Sequence, residues 1–406
     1  MAVNLKPLAA LDAIRGIRLG AAEAAIKKPG RKDLLLIELA QGSRVAGVFT
    51  QNAFCAAPVQ LCRERLATTT GMRALLINAG NANAATGAGG LADARTTTAV
   101  VAAALGCEAE QVLPFSTGVI GQRLPVERML VAIPAAVANL AATGWNEAAC
   151  TIMTTDTVPK GASRRVRTSQ GMVTVTGIAK GVGMIYPNMA TLLAFIGTDA
   201  RLTDAAAKAC LEQAVAASFN SVTVDGDTST NDSCLLVATA QVGRDEIDAV
   251  HPDYAVVAEA VTAVCIELAQ AVVRDGEGAT RFITIDVEGA ATVAEARLAA
   301  YSIAHSPLVK TAMFAGDANW GRIIMAIGKA GIDALDPARV DVALDEVQLL
   351  VGGEPHPDYR EEHGSAVVAK PEFTIRIGLG RGAAKTRVWT CDFSYDYVRI
   401  NAEYRT

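Results

Sequence analysis

Residues 179–195 read AKGVGMIYPNMATLLAF, and the interpretation of the chain's first half depends on this stretch. The apolar residues 172–179 before it and 191–196 at its end both predict buried strands. Two glycines and one proline shape the backbone of an otherwise apolar connection between them. Thr191 stands where this connection enters the second strand. The stretch therefore predicts two strands joined by a shaped loop, with a hydroxyl at the junction.

Strand and helix patterns are mixed along the rest of the chain. Strands are predicted at 33–40, 44–50, 72–79, 235–242, 282–287, 340–351, 372–379 and 387–393. Helices are predicted at 91–105, 125–142, 204–218, 254–274, 306–314 and 320–328, and a loop at 352–363. The fold class is therefore α/β or α+β. Soft boundaries near residues 200 and 281 give an N-terminal α/β domain (1–200), a middle α/β domain (201–280) and a C-terminal α+β domain (281–406).

Composition excludes several classes of protein. The 406 residues are 51% hydrophobic and 19% charged, which excludes a disordered chain. The net charge of −5, without a long basic run, argues against nucleic-acid binding. The sequence lacks an uninterrupted apolar stretch of about 18 residues and a signal-peptide pattern. Eight cysteines without CxxC spacing indicate reduced core thiols, so we expect a cytoplasmic protein with no nucleic-acid or membrane partner.

The common catalytic and cofactor motifs are missing from the sequence. The P-loop, the GxGxxG fingerprint, the EF-hand loop, HExxH and the GxSxG nucleophile elbow all fail to match. The four histidines all follow residue 250, and none forms a His/Cys cluster with zinc spacing. We therefore expect no bound metal or cofactor. A histidine triad assembled in space stays an alternative, but a nucleophile here is expected to take its base elsewhere.

Thr191 offers a nucleophile that needs no histidine. Its hydroxyl can attack the carbonyl carbon of Ala190 in a strained backbone, so that the acyl group shifts to oxygen and water releases it. Thr191 then becomes a new N-terminus, whose α-amine, with a pKa of about 7.7–8.0, can act as the base. Thr117 and Gly118, in a predicted turn over 114–121, are candidate donors to the oxyanion. A plain strand threonine and a plain turn are the simpler alternatives.

Several motifs, in the same order over essentially the whole chain, resemble the ornithine acetyltransferase family, the glutamate N-acetyltransferases of arginine biosynthesis. They are NANA at 81–84, TG at 86–87, STG at 116–118, MTTDT at 153–157, KG at 180–181, PNMAT at 187–191, DGDTSTND at 225–232, DANWGR at 317–322, CD at 391–392, YDY at 395–397 and INAEYRT at 400–406. The resemblance implies a self-processing α-β-β-α sandwich, of the aminopeptidase and ornithine acetyltransferase type, with a smaller α+β C-terminal domain.

The resemblance also implies a reaction. The precursor cuts itself between Ala190 and Thr191, and the fragments associate as an α2β2 heterotetramer. Thr191 takes an acetyl group from N2-acetyl-L-ornithine and passes it to L-glutamate, with acetyl-CoA left open as a second donor. Thr117 and Gly118 match the oxyanion-hole pair. The positions that match substrate contacts are Thr154, Lys180, Thr191, Glu277, Asn401 and Thr406.

Two other functions stay open at this point. An amidohydrolase or aminopeptidase with the same N-terminal threonine would use water rather than glutamate as the acyl acceptor. A metabolite-binding protein without catalytic activity would keep its chain intact. The mass of the denatured protein and the identity of the acceptor distinguish these functions from acetyl transfer.

Overall fold

The computed structural model describes residues 2–186 and 192–403, and the chain divides into two compact units. The larger one, called here the sandwich unit, comprises Pro7–Asn220 and Asp227–Val272. The smaller one, the C-terminal unit, comprises Met1–Lys6, Ser221–Gly226 and Val273–Thr406. This division differs from the three domains expected from the sequence. A strand that crosses residue 200 pairs with a strand of the expected middle domain, so the two segments share one sheet.

The sandwich unit contains two sheets. Its strands are β1 (Ile17–Ala22), β2 (Leu34–Leu39), β3 (Arg44–Phe49), β4 (Ala74–Asn81), β5 (Val112–Val119), β6 (Lys160–Thr168), β7 (Gly171–Lys180), β8 (Leu193–Leu202) and β9 (Ser233–Ile247). Its helices are α1 (Ala57–Thr68), α2 (Gly87–Leu105), α3 (Val126–Ala138), α4 (Trp145–Thr151), α5 (Asp204–Ala217) and most of α6 (Tyr254–Arg274). The strand orders are β1-β2-β4-β5 and β3-β9-β8-β7-β6. Within them, β4–β5 and β8–β9 are parallel pairs.

The two sheets face each other across an apolar core. Buried side chains of β1, β2, β4 and β5 form one cluster with those of β7, β8 and β9. At its centre the rings of Phe115 and Phe195 meet edge to face, with their centroids 5.1 Å apart. Helices α2 and α3 pack on the outside of the first sheet, and α5 and α6 pack on the second. The sandwich unit therefore has the α-β-β-α architecture that the resemblance implied.

The C-terminal unit is built on one mixed sheet. Its strands are β10 (Phe282–Ala290), β11 (Asp341–Leu344), β12 (Val347–Val351), β13 (Glu354–Pro355), β14 (Glu372–Gly378) and β15 (Ala384–Cys391), in the order β13-β12-β11-β14-β10-β15. Its helices are α7 (Val293–Ala304), α8 (Pro307–Ala315), α9 (Trp320–Gly328), α10 (Glu361–Val368) and α11 (Tyr395–Ala402). Side chains of α7, α8 and α9 bury one face of this sheet. The expected α+β class of this part of the chain is confirmed.

Local signals predicted several helix ends correctly. Gly106 ends α2 in the left-handed conformation, with a φ of 65°. The Thr203 hydroxyl accepts a hydrogen bond from the amide of Ala206 and so caps α5. Helices α6 and α9 have the bounds that their apolar periodicity predicted. These ends are predictable because the residues that fix them are neighbours in sequence.

Other segments differ from the sequence-based expectation. The apolar pattern of 340–351 predicts one strand, but Asp345 adopts a φ of 48° and turns the chain into the hairpin of β11 and β12. The expected loop at 352–363 contains β13 and the start of α10. The expected turn at 114–121 is wrong up to Val119, because β5 continues to that residue. The sequence patterns did not predict β1, α1, α4, β6, α7 and α11.

Helix α6 is long and apolar enough to cross a membrane by length and composition. In the fold it is a core helix, since Val264 and Leu268 are buried and lie against Gly177 of β7. All eight cysteines are free thiols; five of them are buried, and Cys150 is exposed. Burial raises the pKa of the Cys210 thiol to about 12, which keeps it protonated and unreactive.

Candidate active site

The predicted site residues of the sandwich unit meet where β5 and β7 end. Thr117 and Gly118 lie in the last three residues of β5, and Lys180 is the last residue of β7. The Nζ of Lys180 donates a hydrogen bond to the Oγ1 of Thr117 over 3.2 Å. Because β5 and β7 belong to different sheets, this hydrogen bond joins the two sheets at the predicted site.

Glycine is required at position 118 because two strand backbones approach each other closely there. β4 and β5 run in parallel, with Gly80 opposite Gly118. The φ of Gly118 is 137°, and an added Cβ would lie 2.2 Å from the carbonyl carbon of Gly80. Any side chain would therefore push the two strands apart. The glycine fixes the backbone that the sequence analysis assigned to oxyanion binding.

Buried amide side chains hold the strand end on both sides of Ser116. The Nδ2 of Asn231 donates to the carbonyl oxygens of Ser116 and Ala82, over 2.9 and 2.6 Å. The hydroxyl of Ser116 donates to the Oδ1 of Asn78 over 2.6 Å, and the Nδ2 of Asn78 donates to the carbonyl oxygen of Asn81 over 2.9 Å. These groups are buried, so an unpaired member would cost about 1–3 kcal/mol. The network makes the end of β5 rigid.

A buried carboxylate, Asp156, contacts the groups around Lys180. Its Oδ1 accepts hydrogen bonds from the Nζ of Lys160 over 2.7 Å and from the amide of Gly181 over 2.8 Å. Its Oδ2 accepts one from the amide of Thr154 over 3.0 Å and lies 3.9 Å from the Nζ of Lys180. The side chains of Asp156 and Lys160 are fully buried. Asp156 therefore positions two lysines and two backbone segments at once.

The protonation of Asp156 depends on the charges beside it. Burial by itself raises the pKa of Asp156, but the charges of Lys160 and Lys180 and the hydrogen bonds that it accepts outweigh burial. The pKa of the carboxyl is thus held below its ordinary value, and Asp156 is ionised at neutral pH. Two ammonium groups then face one carboxylate. The ammonium group of Lys180 reaches Thr117, and its positive charge favours an anionic group of a ligand there.

A second buried carboxyl, Asp232, lies directly before β9. Its Oδ1 accepts a hydrogen bond from the amide of Leu192 over 3.1 Å. Its Oδ2 has no hydrogen-bond partner within residues 2–186 and 192–403. Burial raises the pKa of Asp232 well above its ordinary value, although the amide of Leu192, the charge of Lys180 and Ser229 act in the opposite direction. A buried carboxyl oxygen without a partner is uncommon in folded proteins.

The expected cleavage position falls outside the described residues, because Ala190 and Thr191 belong to the segment 187–191; Thr406 also lies outside them. The described residues on either side of this segment are next to the cluster. β7 and β8 are antiparallel neighbours, with Lys180 opposite Leu193. The connection that contains the expected nucleophile therefore leaves from, and returns to, the end of the sheet that carries the cluster.

Glu277 and Asn401, the other expected substrate contacts, lie in the C-terminal unit and contact each other. The Nδ2 of Asn401 donates to the Oε2 of Glu277 over 3.0 Å. The hydroxyl of Ser394 donates to the carbonyl oxygen of Gly278 over 2.6 Å. An added Cβ at Gly278 would lie 2.5 Å from the amide nitrogen of Tyr397. These contacts hold α11 against the loop that carries Glu277.

The sequence patterns assign no role to four residues that build the site, namely Asp156, Lys160, Asn231 and Asp232. Three of them fall inside motifs that carried the family resemblance, MTTDT at 153–157 and DGDTSTND at 225–232. Their polar character alone suggests exposed loops. Their burial arises from tertiary packing, which a reading of local sequence patterns does not show.

Comparisons with known proteins find relatives of this chain. A family model described as the ArgJ family matches residues 18–406. The arginine biosynthesis bifunctional protein ArgJ of Methylococcus capsulatus is 57% identical over 396 residues, which are 97% of this chain and 96% of that protein. The ArgJ crystal structure from Bacillus halodurans is 39% identical, covers 51% of this chain and 97% of that chain, and has a TM-score of 0.49. The structure of ornithine acetyltransferase from Mycobacterium tuberculosis, complexed with ornithine, is 38% identical in sequence. The match covers 46% of this chain and 98% of that chain, with a TM-score of 0.42.

The close approach at Gly118 predicts the effect of one added methyl group. Gly118→Ala should lower the free energy of unfolding by at least about 2–3 kcal/mol, because the Cβ would displace the backbone of β4. The matched control is Gly121→Ala, since Gly121 also has a positive φ, of 83°, but an open space around the added Cβ. Gly121→Ala should lower the free energy of unfolding by about 1 kcal/mol. Urea unfolding measures both, and equal losses would contradict the close-approach argument.

The pairing of Asp156 predicts a loss of stability that depends on pH. Asp156→Asn leaves two buried ammonium groups without their carboxylate and should cost about 3–5 kcal/mol at neutral pH. Because the folded-state pKa of Asp156 is lowered, its contribution is present above the ordinary pKa of about 3.9 and disappears as the pH falls through the lower folded-state value. The difference in the free energy of unfolding between Asp156→Asn and the wild type should therefore stay constant from about pH 5 to 8 and shrink at more acidic pH.

An exposed ion pair provides the control for Asp156. The side chains of Arg95 and Glu64 are 46% and 50% exposed. Glu64→Gln should therefore lower the free energy of unfolding by less than about 1 kcal/mol. Chemical denaturation at a series of pH values measures both variants. An Asp156→Asn cost as small as that of Glu64→Gln, or one that is the same at pH 3 and pH 7, would show that Asp156 does not pair with the lysines as described.

Proposed function

Because this chain belongs to the ArgJ family and is an acetyltransferase of arginine biosynthesis, we propose that it moves an acetyl group from N2-acetyl-L-ornithine to L-glutamate through Thr191. The observation that carries the proposal is the hydrogen bond between Lys180 and Thr117. It links the strand that leads into the segment 187–191 to the residues assigned to oxyanion binding. The match of PNMAT at 187–191 to the family motif supplies the identity of the nucleophile.

The proposed sequence of events begins with cleavage of the chain. The hydroxyl oxygen of Thr191 attacks the carbonyl carbon of Ala190, the carbon–nitrogen bond breaks, and the hydroxyl proton passes to the nitrogen. Water then hydrolyses the resulting ester, which leaves a carboxylate at Ala190 and a free hydroxyl and α-amine at Thr191. Neither step consumes a cofactor, because the hydroxyl of Thr191 is the nucleophile of the first step and water is that of the second.

Acetyl transfer uses the same hydroxyl a second time. It attacks the acetyl carbonyl carbon of acetylornithine while the α-amine of Thr191 takes up the hydroxyl proton. The oxyanion accepts hydrogen bonds from Thr117 and Gly118 at the rigid end of β5. The acetyl carbon–nitrogen bond breaks, the proton passes to the departing nitrogen of ornithine, and an acetyl ester remains. The amine of glutamate attacks this ester, and Thr191 recovers its proton.

The charges of the described residues suit these substrates. Lys180 brings an ammonium group beside Thr117, so we assign to it, with Thr154, the α-carboxylate of the substrate. In the C-terminal unit Glu277 has the charge that complements the side-chain ammonium of ornithine. Asn401 holds Glu277 by a hydrogen bond, and we assign both to substrate contacts together with Thr406.

Pairing in the second sheet supports a stable complex of the two fragments. β6 and β7 precede the cleavage position and β8 and β9 follow it, yet they are neighbours in one sheet. Separation of the fragments would expose the edges of β7 and β8 and the apolar core between the sheets. We propose that the fragments stay together as an α2β2 assembly in the cytoplasm. We also propose acetyl-CoA as a second acetyl donor, a second activity in keeping with the name "bifunctional" of the Methylococcus relative.

Cleavage depends on the hydroxyl at position 191, which the denatured mass of the purified protein tests. The wild type should give two fragments, residues 1–190 and 191–406, and Thr191→Ala should give one intact chain. Thr191→Ser, which keeps a hydroxyl, should still cleave. Thr198→Val is the matched control, because it removes a buried hydroxyl elsewhere in β8. Fragments from Thr191→Ala, or an intact wild type, would refute the proposed nucleophile.

The acyl acceptor distinguishes the transferase from a hydrolase. With acetylornithine as donor, ornithine release should rise with glutamate concentration, and double-reciprocal plots at several glutamate concentrations should be parallel, as for a covalent intermediate. Product analysis should show acetylglutamate in amounts equal to the ornithine released. Acetate as the main product, at a rate that glutamate does not change, would favour the amidohydrolase alternative. Intersecting plots would contradict the acetyl-enzyme.

A further inference from the structure

Lys310 of α8 is a buried lysine of the C-terminal unit for which the proposed reaction has no role. Only 1% of the residue is exposed, although lysine is almost never fully buried unless its charge is paired. Its Nζ donates hydrogen bonds to the hydroxyl of Thr390 over 2.9 Å and to the carbonyl oxygen of Cys391. The same nitrogen lies over the ring of Phe393, 4.5 Å from its centroid. These neutral groups follow one another in sequence, so Lys310 holds one short stretch of chain.

That stretch, residues 390–394, joins the end of β15 to α11 and also holds the loop that carries Glu277. The Oδ1 of Asp392 accepts hydrogen bonds from the amides of Thr280 and Arg281, both over 2.8 Å. Its Oδ2 accepts one from the hydroxyl of Thr280 over 2.5 Å. The 390–394 stretch therefore fixes the backbone shortly after Glu277.

Helix α11 depends on the same stretch for its position. The structure describes all eight residues of α11, and none of them is buried, so packing of an apolar face does not hold it. The hydroxyl of Ser394 accepts a hydrogen bond from the amide of Asp396 and caps the helix. The ring of Phe393 stacks on that of Tyr397, with the centroids 4.5 Å apart. The ring that Lys310 contacts is therefore also a ring that holds α11.

Asn401 connects α11 to the expected substrate contact. Its Nδ2 donates to the carbonyl oxygen of Tyr397 and to the Oε2 of Glu277, over 3.0 Å in both cases. Glu277 is itself 8% exposed, so its carboxylate has little freedom to follow a helix that moves. A chain of direct contacts thus runs from the ammonium of Lys310 through Phe393 and α11 to the carboxylate of Glu277.

Neighbouring charges help to keep Lys310 an ammonium in the interior. Burial lowers the pKa of Lys310, while Cys391, Asp392 and Asp225 act in the opposite direction. A methionine of similar length would fill the same space without the cost of burying a charge. It would give up the two hydrogen bonds and the attraction to the Phe393 ring. What the lysine adds over an apolar residue is therefore a fixed position for residues 390–394.

We propose that Lys310 is a positioning residue that acts through α11 to place Glu277 for the side-chain ammonium of the substrate. The inference rests on the proposed function, because that function assigns Glu277 and Asn401 to substrate contacts. It adds to that function a determinant of substrate class. The enzyme prefers an acetylated amino acid with a cationic side chain over one with an apolar side chain of equal length, and Lys310 is required for that preference.

The test compares Lys310→Met with two matched controls in the full-length protein. The probe is N2-acetyl-L-norvaline, which has the carbon chain of acetylornithine without the side-chain amine. Lys370→Met removes a lysine of the same unit whose Nζ pairs with Asp345 over 2.7 Å at the surface. Ile375→Val removes one methylene group from buried β14 and controls for a loss of stability in that unit. All variants are first checked by denatured mass and by thermal unfolding.

Lys310→Met should lose the preference for the cationic side chain. Its kcat/KM for acetylornithine should fall about 10- to 100-fold, as expected when one charged hydrogen bond to the substrate is lost. Its kcat/KM for acetylnorvaline should change less than about threefold, because that donor has no group for Glu277 to bind. In a Glu277→Gln background, Lys310→Met should lower kcat/KM for acetylornithine by less than a further factor of about three. Lys370→Met and Ile375→Val should keep the wild-type preference.

A purely structural role for Lys310 gives a different result. Equal losses for the two donors, an unchanged preference, or effects of Lys310→Met and Glu277→Gln that simply multiply would each overturn the inference. If Lys310→Met does not fold, Phe393→Leu decides, because it removes the ring between Lys310 and α11 and leaves the two hydrogen bonds. It should lower the preference at least about fivefold, and an unchanged preference would overturn the inference.

The wild type separates a failure of the proposed function from a failure of this inference. A wild type that transfers no acetyl group from acetylornithine refutes the proposed function. Calorimetric titration with L-ornithine and L-norvaline then decides the role of Lys310 by itself. Ornithine binding that Lys310→Met weakens at least about tenfold, with norvaline binding unchanged, supports the inference. Any other pattern, including a wild type that binds the two ligands equally, overturns it.

Discussion

The carboxylate of Asp156 is the interaction on which the arrangement of the site depends. It binds the first residue of β6, Lys160, and the amide that follows β7, and it lies beside Lys180. Two buried ammonium groups would repel each other without it. Because Lys180 then reaches across to Thr117, the same carboxylate indirectly determines where the two sheets of the sandwich unit meet at the site.

Rigidity at that meeting point has a separate origin in backbone packing. Gly118 lets β4 and β5 approach more closely than any side chain allows, and the amide of Asn231 holds the preceding carbonyl. Donors that are fixed before the reaction need no rearrangement when charge develops on a substrate oxygen. Mobile loops could offer the same chemical groups, but not this preorganisation. The strand end therefore suits oxyanion binding better than the exposed turn that the sequence suggested.

The sequence predicted the features that local residues determine. The bounds of α6 and the cap of α5 follow from periodicity and from one threonine, and the family resemblance led to the sandwich architecture and to the pair Lys180 and Thr117. The parallel pairing of β8 with β9 was not predictable, since it joins segments on either side of the expected boundary at residue 200. Nor was the burial of Asp156 and Asp232, because a polar residue in a loop motif gives no sign that tertiary packing will enclose it.

The central claim is that the acetyl group passes through the hydroxyl of Thr191. The most direct measurement is tandem mass spectrometry of the protein after brief exposure to acetylornithine without glutamate, followed by acid denaturation. We predict one added acetyl group on the 191–406 fragment, located at its first residue and lost when glutamate is added before denaturation. No added mass on that fragment, or an acetyl group on a lysine such as Lys180 instead, would contradict the account.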